Sequence, residues 1–289
     1  MTIDSVISDN SQIQQTFQAL ANSPTLLDSN MPSSPLFAPI DSLTTLLLDT
    51  NICPFLPKLY GIYKSVEDIN FSTLPRSFVL KTNHDCGGVV IVPDKKVFLK
   101  DSNLHSKSME KLKHHLNTNY YTILREYHYK DIEPRIFAEE LLGNNIPMQS
   151  PESTMTTKNI ISSIQSFKTP DDYKLHCFGE EIFSEVIIDR GKNTRCTFFD
   201  MHWHPIPVNI TYDSAQRDIP KPQSLETMFA IARRFYQDIG YLRCDFYVLD
   251  TQHFILGEIT LTPGSGCLPI RPREYDDILG GFWRTKPFC

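Results

Sequence analysis

The sequence predicts an α+β fold, and three observations support this class. Runs of β-branched and apolar residues are bounded by Gly-, Asn- and Asp-rich segments, which indicates short strands joined by turns. Two segments carry apolar residues at helical spacing. Of the 289 residues, 40% are apolar and 21% charged, so the chain can bury a real core in one large domain or two modest ones.

The first half of the chain predicts the order strand, loop, strand, helix, strand. The strands Phe78–Lys81 and Val89–Val92 flank the loop Asn83–Gly88, whose Asn, Asp and Gly residues interrupt regular structure. A helix is predicted over Lys107–Tyr120, and the chain returns to a strand over Arg135–Leu142. The lysine that ends the first strand therefore stands just before a glycine-containing loop, where an ammonium group and loop amides can meet a phosphate.

The second half predicts two hairpins separated by a long helix. The first hairpin has the arms Tyr173–Cys177 and Ile182–Ile188. The helix is predicted over Ser224–Ile239, with one apolar stripe, Ser224 as the N-cap and Gly240 as the stop. The last two strands follow this helix.

The composition predicts a chain of four segments. Residues 1–40 are rich in Ser, Asn, Gln and Pro and are expected to form a flexible extension. Residues 41–143 and 171–289 form two folded subdomains. Residues 144–170 carry nine Ser or Thr and three Pro, which predicts a polar surface insertion between them.

The charge balance and the cysteine pattern exclude several classes of protein. A net charge of −6 argues against a general nucleic-acid binder, and no apolar run approaches the roughly 20 residues that a membrane span needs. The N-terminal residues lack the layout of a signal peptide, and the seven cysteines are scattered without a CxxC motif. We therefore expect a cytoplasmic protein with reduced thiols and no membrane insertion.

The final hairpin predicts a pair of opposed acids. The strands Tyr241–Leu249 and His253–Thr260, joined by a two-residue turn at Thr251-Gln252, would place Asp245 across from Glu258. Two carboxylates at that distance tolerate each other if they share a proton or hold a divalent cation, whereas two solvated acids are the alternative. The expected charged face also carries Arg243, Tyr247, Leu256 and Thr260, and the expected apolar face carries Leu242, Cys244, Phe246, Val248, Ile255 and Ile259.

Two further segments can bind anions or hydroxyls. The turn after the last strand, with Gly264, Ser265 and Gly266, can offer backbone N–H groups to a phosphate or carboxylate, although an ordinary turn is equally expected. Asp172 and Lys174 share one face of a strand and could accept a hydroxyl and bind a phosphate.

The histidines organise less clearly. His128 and His84 could contact a substrate, but nothing in the sequence requires it. His202 and His204 share one side of an extended segment without a third zinc ligand. The absence of a GxSxG motif argues against a serine hydrolase of that kind.

Four blocks of the sequence resemble the TupA-like (teichuronopeptide-synthesis) ATP-grasp family. Their order, spacing and several unusual strings agree together, and the resemblance covers residues 55–142 and 171–281. The blocks are Leu74-Pro-Arg-Ser-Phe-Val-Leu-Lys-Thr-Asn-His84, His128-Tyr-Lys-Asp-Ile-Glu-Pro-Arg-Ile-Phe-Ala-Glu-Glu-Leu141, Asp172-Tyr-Lys-Leu-His-Cys-Phe-Gly179, and Arg243-Cys-Asp-Phe-Tyr247 with Gly257-Glu-Ile-Thr-Leu-Thr-Pro-Gly-Ser-Gly266.

The resemblance implies an ATP-grasp fold, in which two α+β subdomains hold ATP between them together with Mg²⁺. Carried over by position, it implies phosphate contacts from Lys81 and the loop residues Asp85, Gly87 and Gly88, adenine contacts from Glu139, Glu140, Leu141 and Leu142, and a ribose contact from Asp172. It also implies that Lys174 and Arg243 bind the γ-phosphate or an acyl-phosphate, and that Asp245, Glu258 and Thr260 hold Mg²⁺. Many ATP-grasp enzymes have Asn at the position of Thr260.

The function implied by the resemblance is a carboxylate–amine ligase that forms an amide through an acyl-phosphate. The family suggests small-molecule substrates, namely a sugar acid or other small carboxylate and an amino acid or peptide, in polysaccharide or peptide biosynthesis. Two alternatives stay open from the sequence. One is an ATP-grasp kinase with a hydroxyl acceptor, in which His176 or His84 would act as base, and the other is a non-catalytic nucleotide-binding module.

Overall fold

The computed structural model of the chain describes residues 53–143, 169–191, 193–236 and 240–283. These residues divide into an N-terminal unit, which contains residues 57–143, and a C-terminal unit, which contains residues 53–56 and 170–283. The predicted extension 1–40 and residues 144–168 of the predicted insertion lie outside the described residues.

The C-terminal unit includes a short segment that the sequence analysis assigned to the first subdomain. The 3₁₀ helix Cys53–Phe55 contributes the ring of Phe55, which stacks on Phe254 with centroids 4.7 Å apart. Aromatic packing therefore joins residues 53–56 to the C-terminal sheet.

The N-terminal unit contains a four-stranded antiparallel sheet. Its strands are β1 (Leu59–Tyr63), β2 (Phe78–Thr82), β3 (Val89–Val92) and β4 (Ile136–Glu139), in the spatial order β1–β4–β2–β3. Phe78 and Leu80 point into a core that also contains Leu112, whereas Lys81 alternates to the other face. The edge strand β3 leaves Val89 and Ile91 exposed, and the ammonium group of Lys111 donates a hydrogen bond to the carbonyl of Val89 at 2.9 Å.

The helices of the N-terminal unit differ from the prediction. Instead of one helix over Lys107–Tyr120, the structure has α1 (Lys95–Lys100), α2 (Ser102–Leu116) and α3 (Tyr120–Leu124). The carboxylates of Asp94 and Asp101 and the side-chain carbonyl of Asn119 accept backbone hydrogen bonds at the three N-termini. A side-chain cap marks the start of a helix, so the caps formed by Asp94, Asp101 and Asn119 divide this segment into three helices.

The C-terminal unit contains a six-stranded antiparallel sheet with the spatial order β10–β9–β5–β6–β7–β8. The strands are β5 (Asp171–Phe178), β6 (Glu181–Ile188), β7 (Arg195–Phe199), β8 (Pro205–Ile206), β9 (Leu242–Val248) and β10 (Phe254–Thr260). Both predicted hairpins are present as β5–β6 and β9–β10.

One face of this sheet is covered by α4 (Leu225–Tyr236), which forms at the place of the predicted long helix. Leu225, Met228, Phe229 and Phe235 are fully buried, and burial of each such side chain stabilises the fold by about 1.5–3 kcal/mol. A second helix, α5 (Glu274–Phe282), ends the described chain.

Ser224 occupies the predicted N-cap position of α4, but its side chain does not make the capping hydrogen bond. The hydroxyl oxygen of Ser224 is buried and has no hydrogen-bond partner among the described residues. The carbonyl of Ser224 nevertheless accepts the hydrogen bond from the amide of Met228 at 3.0 Å, so the helix starts at the predicted place without the hydroxyl bond.

Candidate active site

A row of charged side chains crosses four strands of the C-terminal sheet on its face away from α4. Glu258 of β10 lies opposite Asp245 of β9. Asp245 in turn lies opposite Lys174 of β5, which lies opposite Glu185 of β6. Opposed residues on one face have Cβ atoms about 4.5–5.5 Å apart. The predicted opposition of Asp245 and Glu258 is confirmed, and we call these four residues the charged row.

A β-bulge corrects the predicted register of the last hairpin. Leu256 pairs with Phe246 rather than with Tyr247, and the register then shifts at Gly257 so that Glu258 still reaches its predicted partner. Leu256, which was expected on the charged face, is 3% exposed in the core. Burial of this side chain favours the bulged register. A Cβ at Gly257 would lie 2.5 Å from a ring atom of Tyr247, so glycine is required there.

The turn of this hairpin also differs from the two-residue prediction at Thr251-Gln252. The amide of Leu249 donates to the carbonyl of His253 at 2.9 Å, which leaves three residues in the loop. Ile255 consequently pairs with Tyr247, whereas it was predicted to lie on the apolar face. The loop and the bulge each add a residue that the regular pattern does not contain.

Asp245 binds two cationic side chains. Its Oδ1 accepts a hydrogen bond from Nε of Arg243 at 2.6 Å, and its Oδ2 accepts one from the other guanidinium nitrogen at 2.7 Å. The ammonium group of Lys174 forms an ion pair with the same Oδ2. Arg243 also donates to the hydroxyl of Thr260 at 3.1 Å, so the predicted site residues of β9 and β10 are in contact. Bidentate Arg–carboxylate pairs are among the strong protein hydrogen bonds.

Asp172 lies beside the charged row and has one oxygen in use. Its Oδ2 is 3.1 Å from Nζ of Lys174 and also pairs with Arg190. Its Oδ1 is buried and has no hydrogen-bond partner within the described part of the chain. Burial raises the pKa of Asp172, as does Asp245, although Lys174 opposes this effect. A buried acceptor without a donor is costly, so a ligand hydroxyl at Oδ1 would relieve this cost.

The pKa values of Asp245 and Glu258 are shifted in opposite directions. Burial by itself would raise the pKa of Asp245, but Lys174 and Arg243 together lower it below the usual range. For Glu258, partial burial raises the pKa and the nearby charge of Asp245 raises it further. Asp245 is thus ionised and paired, whereas Glu258 carries the less compensated charge, which a divalent cation would stabilise.

Glu185, at the end of the charged row, is fixed by a hydrogen-bonded histidine. Nε2 of His176 lies 3.2 Å from Oε2 of Glu185, and Nδ1 lies 2.9 Å from the hydroxyl of Tyr241. A carboxylate can only accept, so Nε2–H donates to Glu185; in the neutral imidazole Nδ1 then accepts from the hydroxyl of Tyr241. Both ring nitrogens of His176 are therefore occupied, which does not favour it as a free base.

The turn after β10 has an unusual backbone conformation. Gly264, Ser265 and Gly266 have φ of 54°, 58° and 69°, in the left-handed region. The strain at the serine is of the order of 1–2 kcal/mol. The amide of Ser265 donates to the carbonyl of Thr262 at 3.0 Å, and anion binding by this turn remains a prediction.

Two of the predicted nucleotide contacts meet in the N-terminal unit. Nζ of Lys81 lies 2.6 Å from Oε2 of Glu139, on the sheet face away from the core. The Lys81 side chain is 31% exposed, so its ammonium group can reach a ligand phosphate. Its role in phosphate binding stays a prediction.

The loop after β2 is closed by Asp85. One carboxylate oxygen accepts from the hydroxyl of Thr82, and the other pairs with Nδ1 of His115 on α2. A Cβ at Gly88 would lie 1.7 Å from the Thr82 hydroxyl oxygen, and Gly87 has φ of 95°. Both glycines are therefore needed for the loop, while its predicted contact with phosphates remains untested.

The segment after β4 contains the predicted adenine contacts. The amide of Glu140 donates to the carbonyl of Lys58 at 2.8 Å, Leu141 is buried and Leu142 is half-buried. In the 3₁₀ helix Tyr127–Tyr129, burial lowers the pKa of His128 against the opposing effect of Glu126. Their contacts with ligands remain predictions.

Two negative findings apply to the described residues only. Within them, no group of three or more His, Cys, Asp or Glu side chains is arranged to hold a metal ion. In the same part of the chain no helix is both long and apolar enough to span a bilayer.

Comparison with models of protein families assigns this chain to a family. The model of the TupA-like ATP-grasp proteins matches residues 52–150 and 148–283. The chain belongs to this family. The TupA-like resemblance inferred from the sequence and the predicted ATP-grasp fold are thereby confirmed.

The solved structures similar to this chain include two ligases. D-Alanine–D-alanine ligase from Helicobacter pylori matches at 11% identity and a TM-score of 0.41, over 85% of this TupA-like chain and 58% of that chain. The ATP-grasp ligase PsnB, complexed with a minimal precursor, matches at 12% identity and a TM-score of 0.34, over 90% and 64% respectively. The chain therefore spans less than two thirds of either ligase. A search of curated proteins gave no match.

Membership of the ATP-grasp family implies ATP and Mg²⁺, and the TupA-like chain has donors that fit both. Mg²⁺ at nucleotide sites is usually bound by one or two carboxylates together with phosphate oxygens and water. The opposed Asp245 and Glu258 meet this requirement without a third acidic ligand. The unpartnered Oδ1 of Asp172 fits a sugar hydroxyl.

Sequence reasoning missed three residues that shape the site of this TupA-like protein. Arg190 pairs with Asp172 from the turn after β6, and Glu185 extends the charged row. His115 holds the loop residue Asp85. Only Glu185 had a signal, because it is a charged residue inside an apolar strand.

Proposed function

We propose that this chain is an ATP- and Mg²⁺-dependent carboxylate–amine ligase. ATP would phosphorylate a carboxylate, and an amine would displace phosphate from the acyl-phosphate to give an amide. The acid would be a sugar acid or another small carboxylate, and the amine an amino acid or peptide. Family membership supports an enzyme of the ATP-grasp type, and the proposal adds the reaction that it catalyses.

The charged row carries this proposal. In it, the opposed acids Asp245 and Glu258 and the cation Lys174 lie on adjacent strands, and Arg243 binds Asp245 from the same strand. Phosphoryl transfer depends mainly on positioning and on stabilisation of negative charge. A sheet face that offers cations beside a carboxylate pair suits that chemistry better than simple nucleotide storage.

Each side chain has a role that its contacts allow. Lys174 and Arg243 would bind the transferring phosphoryl group, since both are already held near the acids. Mg²⁺, when bound, would neutralise phosphate charge. Asp245 and Glu258 would hold the metal, with the hydroxyl of Thr260 beside Arg243.

In the N-terminal unit, Lys81 would bind the α- and β-phosphates, and the loop Asp85–Gly88 would cover them. Adenine would be bound by Glu139, Glu140 and the backbone of Leu141 and Leu142. Asp172 of the C-terminal unit would accept a ribose hydroxyl with its unpartnered oxygen. Orientation and exclusion of water by such contacts can lower a barrier by about 7–11 kcal/mol.

The decisive experiment measures ATP consumption with a panel of small carboxylates, with and without amines, in the presence of Mg²⁺. A ligase should consume ATP only with its acid, and hydroxylamine should convert the acyl-phosphate to a hydroxamate. A phosphate ester formed by a kinase would not react with hydroxylamine. ATP turnover with hydroxyl acceptors alone, or none across the panel, would refute the ligase assignment.

A matched pair of variants ties the activity to the charged row. Asp245→Asn should abolish turnover, whereas Asp277→Asn should not, because Asp277 is exposed on α5. Asp245→Asn leaves two cations partly unpaired, so its folding is to be checked by circular dichroism.

A further inference from the structure

Lys174 has acidic neighbours on both sides of its strand. On one side its ammonium group pairs with Asp245 of β9. The same group lies 3.1 Å from the carboxylate of Asp172, two residues earlier on β5. On the other side Glu185 of β6 lies directly opposite. The lysine can therefore pair in two directions, of which this structure shows the first.

Asp245 cannot keep all its partners when it binds a divalent cation. Arg243 occupies both of its carboxylate oxygens, and Lys174 shares Oδ2. A metal ion at this carboxylate would stand beside the lysine ammonium group, and like charges at such a distance repel strongly in a buried site. Lys174 is the partner that can move, because it has a flexible stem and a single contact with Asp245.

Glu185 is prepared to receive the lysine. Its side chain is buried, and its carboxylate is oriented by Nε2 of His176 at 3.2 Å and by the thiol of Cys196 at 3.8 Å. Burial alone would raise its pKa, but His176 and then Lys174 lower it, so it is ionised.

We propose that Glu185 is a positioning residue that holds Lys174 while Asp245 binds the metal ion. Without Glu185, the lysine stays between Asp245 and Asp172, beside the metal, and competes with it. The inference rests on the proposed function, since it assumes that Asp245 binds the cation of a nucleotide complex. Glu185 itself touches neither metal nor nucleotide.

The test is a titration of the protein with Mn²⁺ in the presence of ADP, followed by the electron paramagnetic resonance of free Mn²⁺. ADP is chosen because it has no γ-phosphate that could attract Lys174. Glu185→Gln should weaken Mn²⁺ binding by about tenfold or more, the size expected when a charge-assisted contact is lost. Glu185→Asp should retain most of the affinity, and ADP binding without metal should not change.

Glu181→Gln is the matched control, because Glu181 is exposed on the same strand and its change removes the same charge. It should bind Mn²⁺–ADP like the unaltered protein. Equal weakening in this control would show a general charge effect and overturn the proposal.

A double-variant comparison covers the case in which Glu185→Gln folds poorly. Lys174→Met and Lys174→Met with Glu185→Gln remove the competing ammonium group, and the second leaves no unpaired charge between the two positions. If Glu185 acts through Lys174, both should bind Mn²⁺–ADP with equal affinity. A tenfold difference between them, or unchanged affinity in Glu185→Gln alone, overturns the inference. Absence of Mn²⁺–ADP binding by the unaltered protein would instead remove the proposed function and this inference with it.

Discussion

The two acids that face each other in the last hairpin differ in their environment. Asp245 is buried and carries three hydrogen bonds or ion pairs from Arg243 and Lys174, whereas Glu258 reaches the surface. Removing Asp245 would leave cations without their partner, which costs about 3–5 kcal/mol for a buried pair. Glu258 is therefore the residue at which function and stability can be tested separately.

We expect Glu258→Gln to lower ATP-dependent ligation by about a hundredfold or more, because it removes one of two carboxylates that face the metal. The free energy of unfolding of this variant should instead increase near neutral pH. Burial and then Asp245 raise the pKa of Glu258 in the folded protein, so its ionisation opposes folding above the unfolded value of about 4.3 and has no effect well below it. Melting curves should show a more stable variant near neutral pH and should converge in acid. A variant that melts lower at neutral pH would contradict this account.

Lys81→Ala should weaken binding of ATP by about ten- to hundredfold, because a charge-assisted contact is worth about 1.5–3 kcal/mol. Adenosine, which has no phosphates, should bind almost as before. Lys81→Arg should restore only part of the affinity, since a guanidinium directs its donors differently. Calorimetric titration of both ligands measures the difference, with Lys113→Ala as an exposed control. Equal losses for ATP and adenosine would show that the pair with Glu139 only supports the fold.

At the scale of elements, the loop between β2 and β3 depends on a close approach. A methyl group at Gly88 would lie 1.7 Å from the Thr82 hydroxyl oxygen and 2.9 Å from Oδ1 of Asp85. Gly88→Ala should therefore displace the loop and lower both the melting temperature and the affinity for ATP. Gly280→Ala, at an open position of α5, should leave the affinity for ATP unchanged and should not lower the melting temperature, because alanine favours a helix more than glycine does.

A second variant makes this loop prediction specific. Thr82→Ala removes the oxygen that the new methyl group would meet, so adding it to Gly88→Ala should recover part of the lost stability. Thermal unfolding of the single and double variants measures the recovery. No recovery would mean that the contact with Thr82 does not set the loop conformation.

The last hairpin shows how far sequence reasoning reaches and where it ends. The opposition of Asp245 and Glu258 was predicted correctly although the assumed two-residue turn is wrong, because the extra residue of the three-residue loop is offset by the extra residue of the bulge. The bulge at Gly257 was not predictable, since it depends on the Tyr247 ring and on the core position of Leu256. Both are contacts across strands, which a local pattern does not contain.

Long-range partners were missed for the same reason. The β5–β6 hairpin was predicted, but Asp172 lies opposite Ile187 in its register, so the contact that Arg190 makes from the following turn depends on the side-chain conformation; His115 reaches Asp85 only because α2 packs beside the loop. The residue types were visible in the sequence, but their distances depend on the tertiary structure.

At the scale of the whole molecule, the reactivity of the cysteines distinguishes exposed thiols from those packed in the C-terminal sheet. Cys177, Cys196 and Cys244 are buried in the C-terminal sheet, and burial raises the pKa of the Cys177 thiol to about 12. Cys86 and Cys267 are exposed. Brief treatment with a maleimide and peptide mass spectrometry should therefore find label on the exposed pair, while the buried three react only in denaturant. Rapid labelling of a buried thiol in native protein would contradict the sheet packing.

The outer strand of the N-terminal sheet has a consequence for the protein in concentrated solution. Strand β3 presents two apolar side chains, Val89 and Ile91, beside backbone groups at the sheet edge, and the ammonium group of Lys111 covers the carbonyl of Val89. Exposed strand edges recruit strands of other molecules, and charged lysines discourage this pairing. Self-association of the protein, measured by light scattering, should therefore depend on the positive charge of Lys111. Acetylation of Lys111, which neutralises it without altering the core, should promote self-association while the melting temperature stays unchanged.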